Sequence, residues 1–301
     1  MEQVRNDGLN AVQAEKPAKQ EKERKPWKGI LQAVLIFIAI LVLQTGIAFI
    51  CGCIYSAICV VQAGGDAQAG TQLYMDKVTN SGLLTDITAI TTVLYGLVAV
   101  LWYKLGLVKK YTSDQWNEFK QKVLNIKTVA IIVVATIGCY CLDILLARLI
   151  AVAIPGSMET FNSVMSLTLG GSTLVSSLVV VILAPVAEEV AFRGLIFRTL
   201  IKNNCPAVAA IIIQAAMFSL FHFNIMQSLY VIPLGLLLGY VAYKSKSVIT
   251  CIFMHMLNNF MPVIVGLLPE GAPIEIIGAV VLVICGGAVY ILTKSINKRT
   301  A

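Results

Sequence analysis

Long apolar runs, separated by short polar connections, set the pattern of this chain. The first covers about 30–61. Seven more follow at about 83–107, 128–154, 173–192, 206–222, 228–243, 247–266 and 274–293. Each is near the ~20 residues that a helix needs to cross a bilayer. With no water to satisfy backbone groups in the hydrocarbon, such runs fold as helices. The pattern predicts an all-α, polytopic membrane protein of about eight transmembrane helices. Residues 1–29 are polar, contain Pro17 and Pro26, and are expected to form a disordered, basic cytoplasmic tail. The first run far exceeds the ~7–15 apolar residues of a signal peptide and shows no A-x-A-like cleavage site, so it is expected to be a retained helix.

Composition agrees. The chain is 58% hydrophobic and 13% charged, against about 25% charged in soluble domains. No soluble stretch is long enough for a separate globular core, so function has to be built from the helix bundle. A net charge of +7 raises the question of nucleic acid, but the positive residues collect beside the apolar runs. They mark topology, and no nucleic-acid partner is expected. The tail, Lys109–Lys127, Arg198–Lys202, Lys244 and Lys246, and the C-terminal Lys294, Lys298 and Arg299 alternate with connections whose one positive residue is Lys77. The positive-inside rule then places both termini in the cytoplasm of a multi-pass cell-membrane protein.

Three runs carry residues that lipid disfavours. The first holds Glu188-Glu189-Val190-Ala191-Phe192-Arg193, with Pro185 just ahead. Glu189 and Arg193 are four apart and share a helix face. Glu188 lies about 100° round the helix and is left to face a cavity, while Pro185 permits a kink. On its own this segment also suits a helix end with a surface ion pair. The second is Phe218-Ser219-Leu220-Phe221-His222, in which His222 shares a face with Phe218 and Gln214. The third is His255-Met256-Leu257-Asn258-Asn259, with His255 and Asn259 on one face, roughly 12 Å past the basic Lys246. Taken singly, His222 suits a helix-end histidine at an interface, and His255 suits interhelical hydrogen bonding. Together they supply the groups that activate water. Straight helices of normal length would leave His222 near the far end of its span, out of register with Glu188 and His255.

The three motifs, E-E-x-x-x-R, F-x-x-x-H and H-x-x-x-N/B on successive helices, resemble those of the CPBP intramembrane proteases, the CAAX protease and bacteriocin-processing (Abi) family. The resemblance covers roughly residues 173–266, without departure in any motif. It implies an intramembrane endopeptidase acting on a membrane-associated peptide or protein within the lipid bilayer. It further implies that Glu188 and His222 activate water and that His255 and Asn259 stabilise the oxyanion. Glu189, Arg193 and Phe218 support them. The family is commonly called metalloprotease, which makes Glu188, His222 and His255 a candidate zinc set. The zincin H-E-x-x-H is absent, and a glutamate-activated water without metal is also adequate; zinc and no cofactor both stay open. Two readings from other classes use the same groups: a peptide-binding or immunity protein that does not cut, and a proton-coupled transporter. Internal repeats would favour the transporter, and none is visible.

On this reading residues 30–172 form the first three transmembrane helices, 173–266 a catalytic core, and 267–301 the last helix with a basic tail. Asp143 and Arg148 are too far apart to share a face, and Arg148 is expected to snorkel outward. Gly235 and Gly239 form a G-x-x-x-G expected to serve close packing inside the core. The eight cysteines, including the C-x-C pairs Cys51/Cys53 and Cys139/Cys141, lack zinc-site spacing and are expected to be packing residues.

Overall fold

The computed structural model describes residues 25–107 and 125–300, with side chains described up to Leu105 and from Asn125 to Ile291. Most of the predicted tail, most of the Lys109–Lys127 connection and the side chains of Lys294, Lys298 and Arg299 lie outside these. The described residues are helical throughout, joined by short turns. The helices are α1 (Pro26–Gln62), α2 (Ala67–Asn80), α3 (Leu83–Trp102), α4 (Ile126–Ala153) and α5 (Ser157–Leu169). Next come α6 (Thr173–Lys202), α7 (Ala207–Leu220) and α8 (Ile225–Tyr230). The chain closes with α9 (Ile232–Ser245), α10 (Val248–Val265) and α11 (Ile274–Thr300).

Local chemistry sets the boundaries. Pro26 opens α1, where its missing N–H costs nothing. Side chains of Asp66, Asn125, Asn224 and Ser247 cap α2, α4, α8 and α10 by accepting from backbone N–H groups of the first turn. The polar helices α2 and α5 were not expected as elements, because neither carries an apolar run. They fold back in the connections that are poor in positive charge.

Among the described residues, six helices are long and apolar enough to cross a membrane: α1, α3, α4, α6, α10 and α11. The predicted fifth and sixth spans differ from expectation. They are α7 and α9, of 14 residues each, or about 21 Å at 1.5 Å per residue. A hydrocarbon core is about 30 Å thick. The two pack against each other as a hairpin. The chain breaks at its tip because Phe223 takes a left-handed conformation (φ 49°) and Asn224 caps the short α8. Gly239 on α9 faces Gln214 of α7 so closely that a Cβ there would collide, and Gly235 faces Ala215 with a Cβ contact of 3.1 Å, tighter than ordinary packing. The G-x-x-x-G therefore serves packing within the core.

The basic connections meet at one end of the bundle. There the Asn203 amide donates to Gln32 Oε1 (3.1 Å), and Arg198 Nη2 donates to the Lys246 carbonyl (3.1 Å). At the other end Gly171 N donates to Thr85 Oγ1 (3.0 Å), and Arg148 pairs with Glu275 of α11 at 3.7 Å. Arg148 does point outward, and Asp143 is buried without it. All eight cysteines are free.

Candidate active site

Helix α6 carries two wide, π-type turns, Val179–Leu183 and Val190–Phe197, on either side of Glu188 and Glu189. Such turns leave backbone groups without their usual partners and recur at functional sites. Here the cause of one free group is readable. The Ala184 N–H bonds back to the Val179 carbonyl, five residues earlier. The next donor in that register would be residue 185, which is proline and has none. The Val180 carbonyl is left over, and Asn259 Nδ2 of α10 donates to it at 2.9 Å. Pro185 thus acts through the hydrogen bond it cannot make.

Glu189 and Arg193 are both 0% exposed. Arg193 Nη1 donates to Glu189 Oε1 at 2.7 Å, and Nη2 reaches the Gly235 carbonyl at 3.2 Å. The guanidinium also lies 4.5 Å from the centre of the Phe218 ring. This is a buried hub joining α6, α7 and α9, not the surface ion pair that the segment also suits. The same Glu189 oxygen accepts from His255 Nδ1 at 2.8 Å. Across the ring, His255 Nε2 stands 3.8 Å from Glu188 Oε2. That is too long for a direct hydrogen bond. Glu188, buried but not sealed, keeps 12% of its side chain exposed.

His222 sits just past the end of α7. Its Nδ1 lies 2.9 Å from the Phe218 carbonyl. A carbonyl only accepts, so Nδ1 carries the hydrogen and Nε2 keeps a lone pair when the ring is neutral. The Phe218 ring stands edge-on between both imidazoles, with centroids 5.0 Å from His222 and 5.6 Å from His255. Phe192 and Phe221 extend this aromatic cluster.

The site therefore gathers Glu188, Glu189, Arg193, Phe218 and His255, with Asn259 turned to α6. Of the two histidines, His255 is the one shown against Glu188; His222 packs on the Phe218 ring that His255 also touches. The mismatch expected for His222 is absent: it and His255 pack on the same Phe218 ring, and Glu188 and His222 both lie about 21 Å along their helices from Lys202 and Ala207.

A catalytic zinc needs three protein ligands at about 2 Å, with an open fourth position. Glu189 holds His255 Nδ1 and leaves Nε2 facing Glu188 Oε2 at 3.8 Å, an orientation in which two ligands of one zinc could stand. His222 is not shown as a third ligand beside them; its ring packs on Phe218. Among the described residues no three His, Cys, Asp or Glu side chains come together as a metal site.

Tyr95 escaped the sequence reading. It is buried on α3, within electrostatic reach of Glu188 and edge-on to Phe221. Its neighbour Gly96 lets α3 approach Ala187 of α6, where a Cβ would fall 2.9 Å from another Cβ. The signal for it was the polar face of α3, where buried Thr85, Thr91, Thr92 and Tyr95 recur at helical spacing.

Comparison with known proteins points the same way as the motifs. Residues 170–261 match the family model described as Type II CAAX prenyl endopeptidase Rce1-like. The match is to the CAAX protease family, the one that the three motifs resemble. The matched stretch starts just ahead of α6, ends inside α10 and contains all three motifs. It supports an intramembrane endopeptidase in general terms. No curated protein and no solved structure matches the chain. Helices α1 to α5 and α11 lie outside the CAAX-protease match, yet α3 and α4 pack directly on the matched helices.

Proposed function

We propose that this protein is an intramembrane endopeptidase in which Glu188 activates a water molecule to hydrolyse a membrane-associated peptide or protein. The observation that carries this reading is the chain Arg193–Glu189–His255–Glu188, buried at membrane depth with one unclosed gap of 3.8 Å. A water bound across that gap would meet a carboxylate at one end and an imidazole nitrogen at the other.

Charge counting calls for one proton. Two carboxylates and one guanidinium leave a buried net charge of −1, which a low-dielectric site disfavours. A single proton shared between Glu188 and His255 neutralises it, and in the reactive arrangement of this mechanism it sits on His255, with Glu189 at Nδ1, much as an aspartate supports the histidine of a serine-protease triad. Glu188 is then the free base, and His255 Nε2–H is a donor. Glu188 takes a proton from water as the oxygen attacks the scissile carbonyl. His255, with the second N–H of Asn259, stabilises the oxyanion. The tetrahedral intermediate collapses, the C–N bond breaks, and the leaving amine takes the proton from Glu188. The His222 Nε2 lone pair assists at the water. In the cell membrane, with both termini cytoplasmic, substrate would reach Glu188 from the basic end of α6.

Purified protein in liposomes, given a quenched fluorescent peptide with and without a C-terminal prenyl-cysteine, tests this. Glu188→Ala and His222→Ala are expected to lower kcat/KM by about 100-fold or more, the usual worth of general acid–base groups. Wild-type rates in Glu188→Ala would sink the mechanism. Exhaustive chelation is expected to leave activity unchanged. Loss on chelation with recovery on adding zinc would replace the metal-free reading with a zinc one.

A further inference from the structure

His222 is not placed by the helix that leads to it. Helix α7 ends at Leu220, and the chain turns through Phe221, His222 and Phe223 before α8 begins at Ile225. At Phe223 the backbone is left-handed, with φ 49°. A bulky residue is strained there, and such strain persists only where the surroundings over-determine it. The Phe223 side chain is 70% exposed, so its own burial does not hold the turn. The restraint comes from two polar side chains on either side, both buried in an apolar stretch: Ser219 and Asn224, 4% and 7% exposed.

Asn224 acts on the far side of the turn. Its Oδ1 accepts from the Gln227 N–H at 3.1 Å and its carbonyl from the Ser228 N–H at 2.7 Å, so both start α8. Ser219 acts across the turn. Its carbonyl accepts from the His222 N–H at 3.3 Å, while its hydroxyl donates to the Ser228 carbonyl. For starting α8, the Asn224 cap alone would be enough. The Ser219 hydroxyl reaches past that start and ties the two helices together at both ends of the turn. Within it, His222 Nδ1 donates to the Phe218 carbonyl at 2.9 Å, and the ring stands edge-on to Phe218. That bond selects the tautomer whose Nε2 keeps a lone pair.

We propose that Asn224 and Ser219 are positioning residues for His222. They close the turn between α7 and α8, and the closed turn holds the imidazole with Nδ1 on the Phe218 carbonyl and Nε2 free. The proposal rests on the proteolytic reading above, in which that lone pair assists at the water. It concerns kcat rather than KM, because His222 acts on the reacting water and not on the bound substrate.

The test is a mutant cycle in the full-length protein in liposomes. Asn224→Leu and Ser219→Ala are expected to lower kcat about tenfold or more, with KM changed by less than about twofold. Asn224→Ser keeps a capping oxygen and should stay within about threefold of wild type. In a His222→Ala background the first two substitutions should each cost less than about twofold further, because the group they place is gone. Wild-type kcat in both Asn224→Leu and Ser219→Ala, or a full further loss in His222→Ala, would overturn the proposal. Nitrogen NMR of histidine-labelled protein adds a readout that cleavage does not enter, since the chain has only two histidines and His222→Ala assigns them. His222 is expected as the single Nδ1–H tautomer in wild type and as an average of both tautomers in Asn224→Leu and Ser219→Ala, with His255 unmoved. If wild type cleaves nothing, the proteolytic reading has failed and these spectra decide the positioning alone. A His222 averaged already in wild type, or unmoved by either substitution, overturns it. If Asn224→Leu is not recovered folded, Ser219→Ala decides.

Discussion

Arg193 is the residue on which the site's electrostatics turn. It is fully buried, and it ties Glu189, the Gly235 carbonyl and the Phe218 face together. Glu189 in turn serves two partners through one oxygen, Arg193 and His255, while its Oε2 has none. Removing one member of a buried ion pair strands the other, at about 3–5 kcal/mol. Arg193→Ala is therefore expected to lose about that much stability. Glu189→Leu with Arg193→Met should recover most of the loss, since matched apolar replacement of a buried pair is often neutral. Activity should not recover with it, because His255 Nδ1 would still lack its acceptor. Unfolding midpoints and kcat on wild type and these two variants measure the two effects separately. Recovery of both together would mean that Glu189 serves only stability.

At the scale of elements, α6 owes its function to an interruption. Its wide turn at Val179–Leu183 and Pro185 together free the Val180 carbonyl for Asn259. Pro185→Ala supplies the missing N–H, which then competes for that carbonyl. A hydrogen bond of about 1 kcal/mol is at stake, so kcat should fall about fivefold. Stability should hold or rise, since alanine suits a helix better than proline. Unchanged kcat would mean that the anchor does not depend on the turn. The sequence showed that Pro185 lies beside the glutamates and that a kink was allowed there. The bond register that decides which carbonyl is freed depends on the whole turn and was not readable. Glu188, Glu189, Arg193, His222, His255 and Asn259 were readable for the opposite reason, because a polar group stands out in an apolar run. Tyr95 did not stand out, since tyrosine is unremarked in such a run until Glu188 is placed beside it.

For the whole molecule, hydropathy gave the helical class and the number of long crossings imperfectly, and the cause is local. The spans expected at 206–222 and 228–243 do place the turn near His222–Asn224, but residues 206–243 are apolar almost throughout, so hydropathy does not show that each helix stops at 14 residues. The left-handed Phe223 and the Asn224 cap mark where the first one ends. As a consequence α7 and α9 form a hairpin about 21 Å deep, set among six longer helices in a core of about 30 Å. Irregular backbone at membrane depth is tolerated where protein or a polar cavity surrounds it, and His222 sits at that break. The arrangement makes a labelling prediction in a cysteine-free background. Lys246→Cys, at the basic end, is expected to react with an impermeant maleimide only after cells are opened. Glu270→Cys, at the other end, should react in intact cells. Phe223→Cys distinguishes a hairpin from a pair of full crossings. Its side chain is 70% exposed on the protein surface, so nothing in the fold shields it. A tip that stops inside the hydrocarbon leaves it unreactive from both sides, because a thiol in lipid meets neither water nor reagent. A tip that reaches the far surface would label from outside as readily as Glu270→Cys, and the common depth of Glu188 and His222 would then need another explanation.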